Sequence, residues 1–393
     1  MVFLVNEAIF SLRMPKKTYF GIGAVEKVRE AVQDLKVSNV LIITDRGVIN
    51  AGLVDTLMKE LRSTTVKTSI FDEVEPEPTV ESVENAAKSL EKTGGIDLLI
   101  AVGGGSVMDT AKCVNVVAMN GGSILDYEYD IENPKPIRKL LPFIAVPTTA
   151  GTGSEATIWA VFIDAKRKLK TGAADPKLIA DVAILDPNMT KTMPPTLTAA
   201  TGMDALTHAI EAYVSIYANP ITDAFSVQAI KLIAESLRTA VEDGENMEAR
   251  ANMILASFMA GSAFSNSSLG IVHEMAEVLG GFYRISHGIT NTLVLPHVME
   301  FNLSANVEKF TKIAEFMGAD VNGLDVNEAS KKSVSAVKEL SRDIGLPQTL
   351  REVGVKREDI PALVERIFKW ANESGNPREV SKKQLRALYE KAY

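Results

Sequence analysis

Runs of consecutive apolar residues too short for a buried helix recur through the first half of the chain and are missing from the second. NVLIITD at 39–45, KTSIFDEV at 67–74 and DLLIAVGGG at 97–105 are separated by the helical patterns VDTLMKELR and VESVENAAKSLEK. PFIAVPTT, ATIWAVFID and ADVAILDP extend the strand pattern as far as Pro187. Strands apolar on both faces and alternating with helices describe a parallel sheet covered on both sides. After Asn188 the period changes. PITDAFSVQAIKLIAESLRTAVE and NEASKKSVSAVKELSRDIG carry apolar residues three and four apart, with no strand-like run between them. The expected fold is an α/β domain over 1–187, doubly wound around a mostly parallel sheet, followed by an all-helical domain over 188–393.

The length of 393 residues agrees with two domains, at roughly 100–200 residues each. A net charge of -8 disfavours nucleic acid or an anionic membrane as the main partner, because both reward clustered cations. The basic run KRKLK at 166–170 is too short to change that. The N-terminal MVFLVNEAIFSLRMPKK has no basic leader region or small-residue cleavage site, and Glu7 interrupts it. No apolar run is long enough to span a bilayer. Cys113 stands alone, which excludes an internal disulfide framework. A soluble cytoplasmic protein is expected.

Two glycine-rich turns close strands of the first half. In IDLLIAVGGGSVMDTAK a strand runs into Gly103, Gly104, Gly105 and Ser106, and a helical pattern starts at Val107. Glycines let a backbone approach an anion, and the free N–H groups of a helix start face it, which makes a phosphate-binding arrangement. A tight strand-to-helix connection is the alternative use of the same glycines. PTTAGTGSE at 147–155 ends the next strand at the same sheet edge, and two such turns there outline a ligand crevice. The hydroxyls of Ser106, Thr148, Thr149 and Thr152 suit phosphate or ribose, with at least one threonine expected as a cap. Asp45 ends an earlier strand, where a carboxylate binds a ribose 2′-hydroxyl and repels a 2′-phosphate. With Glu77 nearby it favours NAD over NADP; the other reading of Asp45 is a turn residue opening DRG.

The chain has four histidines. His208 follows Asp204 by four residues in TGMDALTHAIEAY, which puts both on one helix face. His273 lies on an amphipathic helix in GIVHEMAEVLGGFYRISHG, and His287 on the loop beyond it. One carboxylate and three imidazoles suit a single divalent cation with coordination positions left for substrate. Singly, Asp204 reads as a cap, His208 as a core histidine and His287 as a turn residue. His297 follows Pro296 and is expected at a helix start in a structural role. HEMAE at 273–277 departs from the HExxH of zinc peptidases at Glu277, and that reading leaves the glycine turns unexplained.

TYFGIGAVEKV, GGGSVMDTAK, PTTAGTGSE, PPTLTAATGMDALTHAIEAY, HGITNTLVLPHVMEFN and GNPRE follow one another in a specific order. In that order and spacing the chain resembles, nearly end to end, a group III, iron-dependent type alcohol dehydrogenase, of the superfamily that includes lactaldehyde reductase, butanol and 1,3-propanediol dehydrogenases. The resemblance implies that Asp204, His208, His273 and His287 ligate the metal, Fe²⁺ by family habit with Zn²⁺ as the alternative. It implies that Gly104, Gly105, Ser106, Asp109, Thr148, Thr149 and Leu185 line the NAD site and that Lys170 approaches the cofactor. Phe264 and Trp159 match positions near the substrate entrance. Also implied are a homodimer and hydride transfer between nicotinamide C4 and a small alcohol or diol bound to the metal, with aldehyde reduction in reverse.

Three departures stand out. Glu277 replaces a second histidine that many members place close to the nicotinamide, and a carboxylate there serves proton relay, which puts Glu277 among the catalytic residues. The loop usually read as PNP is PEP here, with Glu77 in place of an amide, and Trp159 is bulkier than the polar residue of the lactaldehyde-reductase type. Asp109 is expected to orient the cofactor or its phosphate loop, the alternative being a surface pair with Lys112. Competing readings are a dehydroquinate synthase-like lyase, for which only Arg284 is offered near His273, a glycerol or polyol dehydrogenase, and a catalytically silent nucleotide-binding relative.

Overall fold

The computed structural model describes residues 9–393 apart from Lys168. Residues 1–8 of the N-terminal segment and part of the KRKLK run therefore lie outside the described residues. Among the described residues eight strands form: β1 (Lys17–Phe20), β2 (Asn39–Ile43), β3 (Lys67–Phe71), β4 (Leu98–Gly103), β5 (Phe143–Pro147), β6 (Trp159–Asp164), β7 (Leu169–Ala174) and β8 (Val182–Leu185). Six make one sheet in the order β1-β8-β5-β4-β2-β3, and every pair in it is parallel. Helices α1 (Val28–Leu35), α2 (Arg46–Asn50), α3 (Leu53–Leu61), α4 (Val80–Thr93) and α5 (Gly105–Asn120) connect them.

Successive strand residues face opposite sides, and the core divides accordingly. Leu41, Ile43, Leu99 and Ala101 pack with Val83, Ala87, Met108 and Val114 of α4 and α5. Val40, Ile42, Leu98 and Ile100 pack with Val28, Val32, Leu57 and Leu61 of α1 and α3. At roughly 1.5–3 kcal/mol for each large aliphatic side chain buried, two covered faces explain why these strands read as unbroken apolar runs.

ATIWAVFID does not join the sheet. β6 pairs antiparallel with β7 in a separate hairpin, and its alternating exposure, Ala160 and Phe162 inward, marks a strand covered on one side. The first two residues of β7 lie in the basic run, which hid the strand from the sequence pattern. Ile163 N–H donates to the Pro78 carbonyl at 2.8 Å, which ties the hairpin to the loop ahead of α4.

The second half is helical: α6 (Pro195–Val214), α7 (Pro220–Glu242), α8 (Met247–Ser267), α9 (Ile271–Tyr283), α10 (His287–Asn302), α11 (Val307–Phe316), α12 (Val326–Asp343), α13 (Ile360–Ile367) and α14 (Lys382–Ala392). α6 is buried from Thr198 onward apart from Thr201, as befits a helix packed between α7, α8 and α10. His287 opens α10 instead of lying in a loop, and Pro296 sits inside that helix, which leaves His297 mid-helix and corrects its expected place at a helix start. Among the described residues no helix is long and apolar enough to cross a membrane.

The halves meet where the second glycine turn rests on α8. Gly153 has φ +59°, and a Cβ at Gly261 would stand 2.7 Å from the Gly153 carbonyl oxygen. Two backbones in direct contact leave no side chain to yield. Gly261→Ala should therefore lower unfolding stability by about 1–3 kcal/mol, read as a reduced urea midpoint with an unchanged slope.

Candidate active site

A cleft of about 1490 Å³ runs between the C-terminal ends of the sheet strands and the helical half. Its first wall is the pair of glycine turns. β4 ends at Gly103 and α5 starts at Gly105, while the Thr148 N–H donates to the Gly103 carbonyl at 3.0 Å and fixes the second turn against the first. A Cβ on Gly104 would lie 3.0 Å from the Thr149 side chain, and one on Gly105 2.7 Å from Thr152. The glycines thus serve the contact between turns as well as the opening toward a ligand. Ser106, Asp109, Thr148, Thr149 and Thr152 line the cleft with Gly104 and Gly105, whereas Gly103 and Leu185 are not among its lining residues.

Asp109 and Lys112 both turn inward and make no surface pair. Asp109 accepts from the Ser154 hydroxyl at 2.8 Å. The Lys112 ammonium reaches the carbonyls of Ser154 at 2.6 Å, Thr157 at 3.1 Å and Trp159 at 2.7 Å. Burial lowers this lysine to about 8 and raises Asp109 above the usual carboxylate range. α5 is buried almost all round from Val107 to Val117, so spacing on it carries no signal of which residues face solvent.

Asp45 caps α2 by accepting from the Val48 N–H at 2.9 Å, and it lines the cleft as well. Both of its readings therefore have a structural counterpart. Glu77 also lines the cleft, at φ +54°. Its N–H donates to Ser106 Oγ at 3.1 Å, and its carboxylate lies 3.4 Å from the Lys170 ammonium on β7.

The opposite wall holds the four ligand candidates. One atom from each of Asp204, His208, His273 and His287 lies within 4.8 Å of the other three. α6 supplies Asp204 and His208, four residues apart, while α9 supplies His273 and α10 its first residue, His287. The rings are oriented from behind. His208 Nδ1 lies 3.3 Å from the Gly151 carbonyl, and His273 Nδ1 lies 2.6 Å from Glu211 Oε2, so a proton on each Nδ1 leaves Nε2 with its lone pair free. Burial lowers His208 to about 4 and takes His287 well below its ordinary value. Burial also acts to lower His273, but the bond to Glu211 and the charges of Glu211 and Asp204 outweigh it and leave this histidine raised.

The donor set fits a cation. Asn291 Nδ2 stands 2.7 Å from Asp204 Oδ1, 3.1 Å from His273 Nε2 and 3.2 Å from His287 Nε2. An amide has two hydrogens for these three acceptors, and His287 Nδ1 and Asn291 Oδ1 have no partner of their own. Buried acceptors gathered in this way are balanced by a metal ion at bonds of about 2 Å.

Sequence reasoning passed over several of these groups. Glu211 is three residues from His208 and Asn291 four from His287, so helical spacing alone places them near the ligands. Tyr129, Glu274 and Trp370 line the cleft with Trp159, Phe264, Lys170 and Glu277. Trp370 lies in a turn segment remote in sequence, where no pattern points to a cavity. Arg284, the one cation offered to a lyase, is not a lining residue; the basic residues described along the cleft are Arg46 and Lys170.

Comparison with known proteins agrees over both halves. The iron-containing alcohol dehydrogenase family matches residues 15–187, and the C-terminal part of the Fe-containing alcohol dehydrogenase family matches residues 198–393. A 1,3-propanediol dehydrogenase from Klebsiella pneumoniae is 42% identical over 98% of this chain and 99% of its own length. A choline dehydrogenase from Bacillus subtilis is 39% identical over 98% of this chain and 95% of its own. The solved structure of a 1,3-propanediol oxidoreductase superposes with a TM-score of 0.94 at 42% identity, over 98% of this chain and 100% of that one. With its sheet, its helical half and the Asp/His cluster in the cleft between them, the chain belongs to the iron-containing alcohol dehydrogenase family.

Proposed function

We propose that residues 1–187 hold the dinucleotide, that residues 188–393 hold the metal, and that the substrate lies in the cleft between. The chain is a metal-dependent, NAD(H)-linked oxidoreductase acting on small alcohols and aldehydes. One observation carries the division of labour: an Asp/His donor set and a pair of glycine turns at a helix start line the same cleft. When bound, the metal supplies a Lewis acid for the substrate oxygen and the nicotinamide supplies the hydride acceptor.

The chain's own residues do the rest. The first turn of α5 and the hydroxyls of Ser106, Thr148, Thr149 and Thr152 receive the diphosphate, with Gly104 and Gly105 leaving room for it. Lys170 reaches toward it from β7. Asp45, with Asp72, Glu73, Glu75 and Glu77 along the same rim of the cleft, repels a 2′-phosphate and favours NAD over NADP. Asp204, His208, His273 and His287 hold the metal; one carboxylate and three imidazoles suit Fe²⁺, with Zn²⁺ the alternative. Glu277 takes up the substrate proton, its carboxyl raised above the ordinary carboxylate range by burial against the lowering charges of Lys170 and His273. Trp159 and Phe264 bound the substrate side, and the named substrates of two relatives, 1,3-propanediol and choline, both carry a hydroxyl on a short chain. We place the protein in the cytoplasm as a homodimer. Two basic residues along the cleft are too few for the phosphorylated, carboxylated substrate of a dehydroquinate synthase-like lyase.

Anaerobically purified protein should contain about one metal per chain by elemental analysis, and Fe²⁺ should restore NADH formation from 1,3-propanediol after chelation; His273→Ala with full metal content defeats the ligand assignment. Glu211→Gln weakens the hold on the His273 tautomer and should lower metal affinity about 10–100-fold, measured by chelator competition. Glu277→His should displace the pH profile of kcat/KM, and an unmoved profile removes Glu277 from proton transfer.

A further inference from the structure

The substrate side of the cleft has a wall of rings that begins on a metal ligand. Phe264 stacks on His208 with ring centres 4.4 Å apart. Trp159 packs against the small cluster that Phe264 forms with Ala212 and Ala263, and Tyr129 meets Trp159 edge to face at 5.1 Å. Trp370 lines the same cleft, its indole N–H donating to Asp130, the residue after Tyr129, at 3.0 Å. Tyr129 is exposed and stands at the mouth.

Facing these rings are carboxylates without partners. Glu274 and Glu277 are half-buried on α9 and Glu373 lies exposed at the rim, all three along the cleft. Among the described residues none of the three accepts a hydrogen bond or closes an ion pair. Of the basic residues described along the cleft, Lys170 is engaged by Glu77 at 3.4 Å and Arg46 lies at the Asp45 rim, 4.0 Å from Glu73, while Arg167 and Arg366 join Lys170 on the far side of Glu274 and Glu277 in a smaller adjoining cavity.

We propose that the alcohol this site prefers is an alkylammonium alcohol, its hydroxyl directed to the metal ligands and its cationic head held between the aromatic wall and Glu274 and Glu277. This rests on the metal-dependent dehydrogenase reading and adds the substrate class to it. Ring faces attract a cation through their quadrupoles, and an alkylated ammonium, weakly hydrated and without N–H groups to satisfy, loses least on entering such a wall. The chain between hydroxyl and head is short, because the rings start on His208 itself. Oxidised nicotinamide is the other cation that can approach these carboxylates, so the test holds the cofactor constant.

Choline and 3,3-dimethylbutan-1-ol have the same shape and differ in one positive charge. With Fe²⁺-loaded enzyme and NAD, kcat/KM should favour choline at least tenfold, and Trp370→Leu should shrink that ratio. Equal values, or a preference for the carbon isostere, overturn the proposal. Turnover of 1,3-propanediol with neither isostere accepted overturns it while leaving the dehydrogenase reading intact; no turnover of any of the three removes both. A second readout needs no turnover. The chain has two tryptophans, Trp159 and Trp370, and both line this cleft. Tetramethylammonium should change the fluorescence of the metal-free protein saturably where tert-butanol at the same concentration does not; identical responses overturn the proposal.

Discussion

A carboxylate and three imidazoles buried together are costly unless each keeps one protonation state and one direction, and the helical half is organised around that requirement. The Glu211 carboxylate does two things at once: Oε2 fixes His273 at 2.6 Å, and Oε1 accepts the Val272 N–H at 2.8 Å at the start of α9. One side chain of α6 thereby sets both the tautomer of a ligand on α9 and the position of the helix that carries it. His208 is fixed from the other domain, by the Gly151 carbonyl of the second glycine turn. The Asp/His cluster and the glycine turns share that backbone, so neither wall of the cleft can move far without disturbing the other.

Lys112 plays the matching part in the α/β half. Its ammonium collects three carbonyls of the segment 154–159 inside the protein, where an unpaired positive charge would be expelled. The segment it binds leads from the second glycine turn into β6. α5 therefore carries the first glycine turn at its N-terminus and holds the second from its second turn of helix. The result is a pair of glycine turns tied to each other by one helix and one buried amine.

The sequence displayed the strands of the sheet because burial on both faces erases polar interruptions, and it displayed the change to helices because the period changes with it. It was silent where contact is remote. β6 looked like a sheet strand since nothing local distinguishes a hairpin strand from a core one, and its partner β7 begins in a run of cations and contains Gly172. His287 resembled a loop residue because SHG reads as a breaker, yet Ser286 has extended backbone and α10 starts directly after it. Asp204, His208, His273 and His287 were visible as a rare residue type in regular spacing. Glu211 and Asn291 had the right spacing too, but acids and amides are common on helices and raise no signal alone. Trp370 belongs to the cleft only through the fold.

The contacts that close the cleft differ in kind from those that found it. Sheet and helical half join through backbone packing at Gly153 and Gly261, which tolerates no slack. The outer walls join through polar pairs: Glu77 with Lys170, and Asp130 with Lys369 at 2.6 Å and with the Trp370 indole. Glu77 holds a left-handed backbone that costs a non-glycine residue about 1–2 kcal/mol, a conformation asparagine adopts more readily than glutamate. The PEP loop thus trades backbone ease for an ion pair across the cleft, and exposed or half-exposed pairs return about 0–1 kcal/mol. The ion pair therefore offsets only part of the backbone cost, and the loop is held to the hairpin with less to spare than the glycine turns are held to each other.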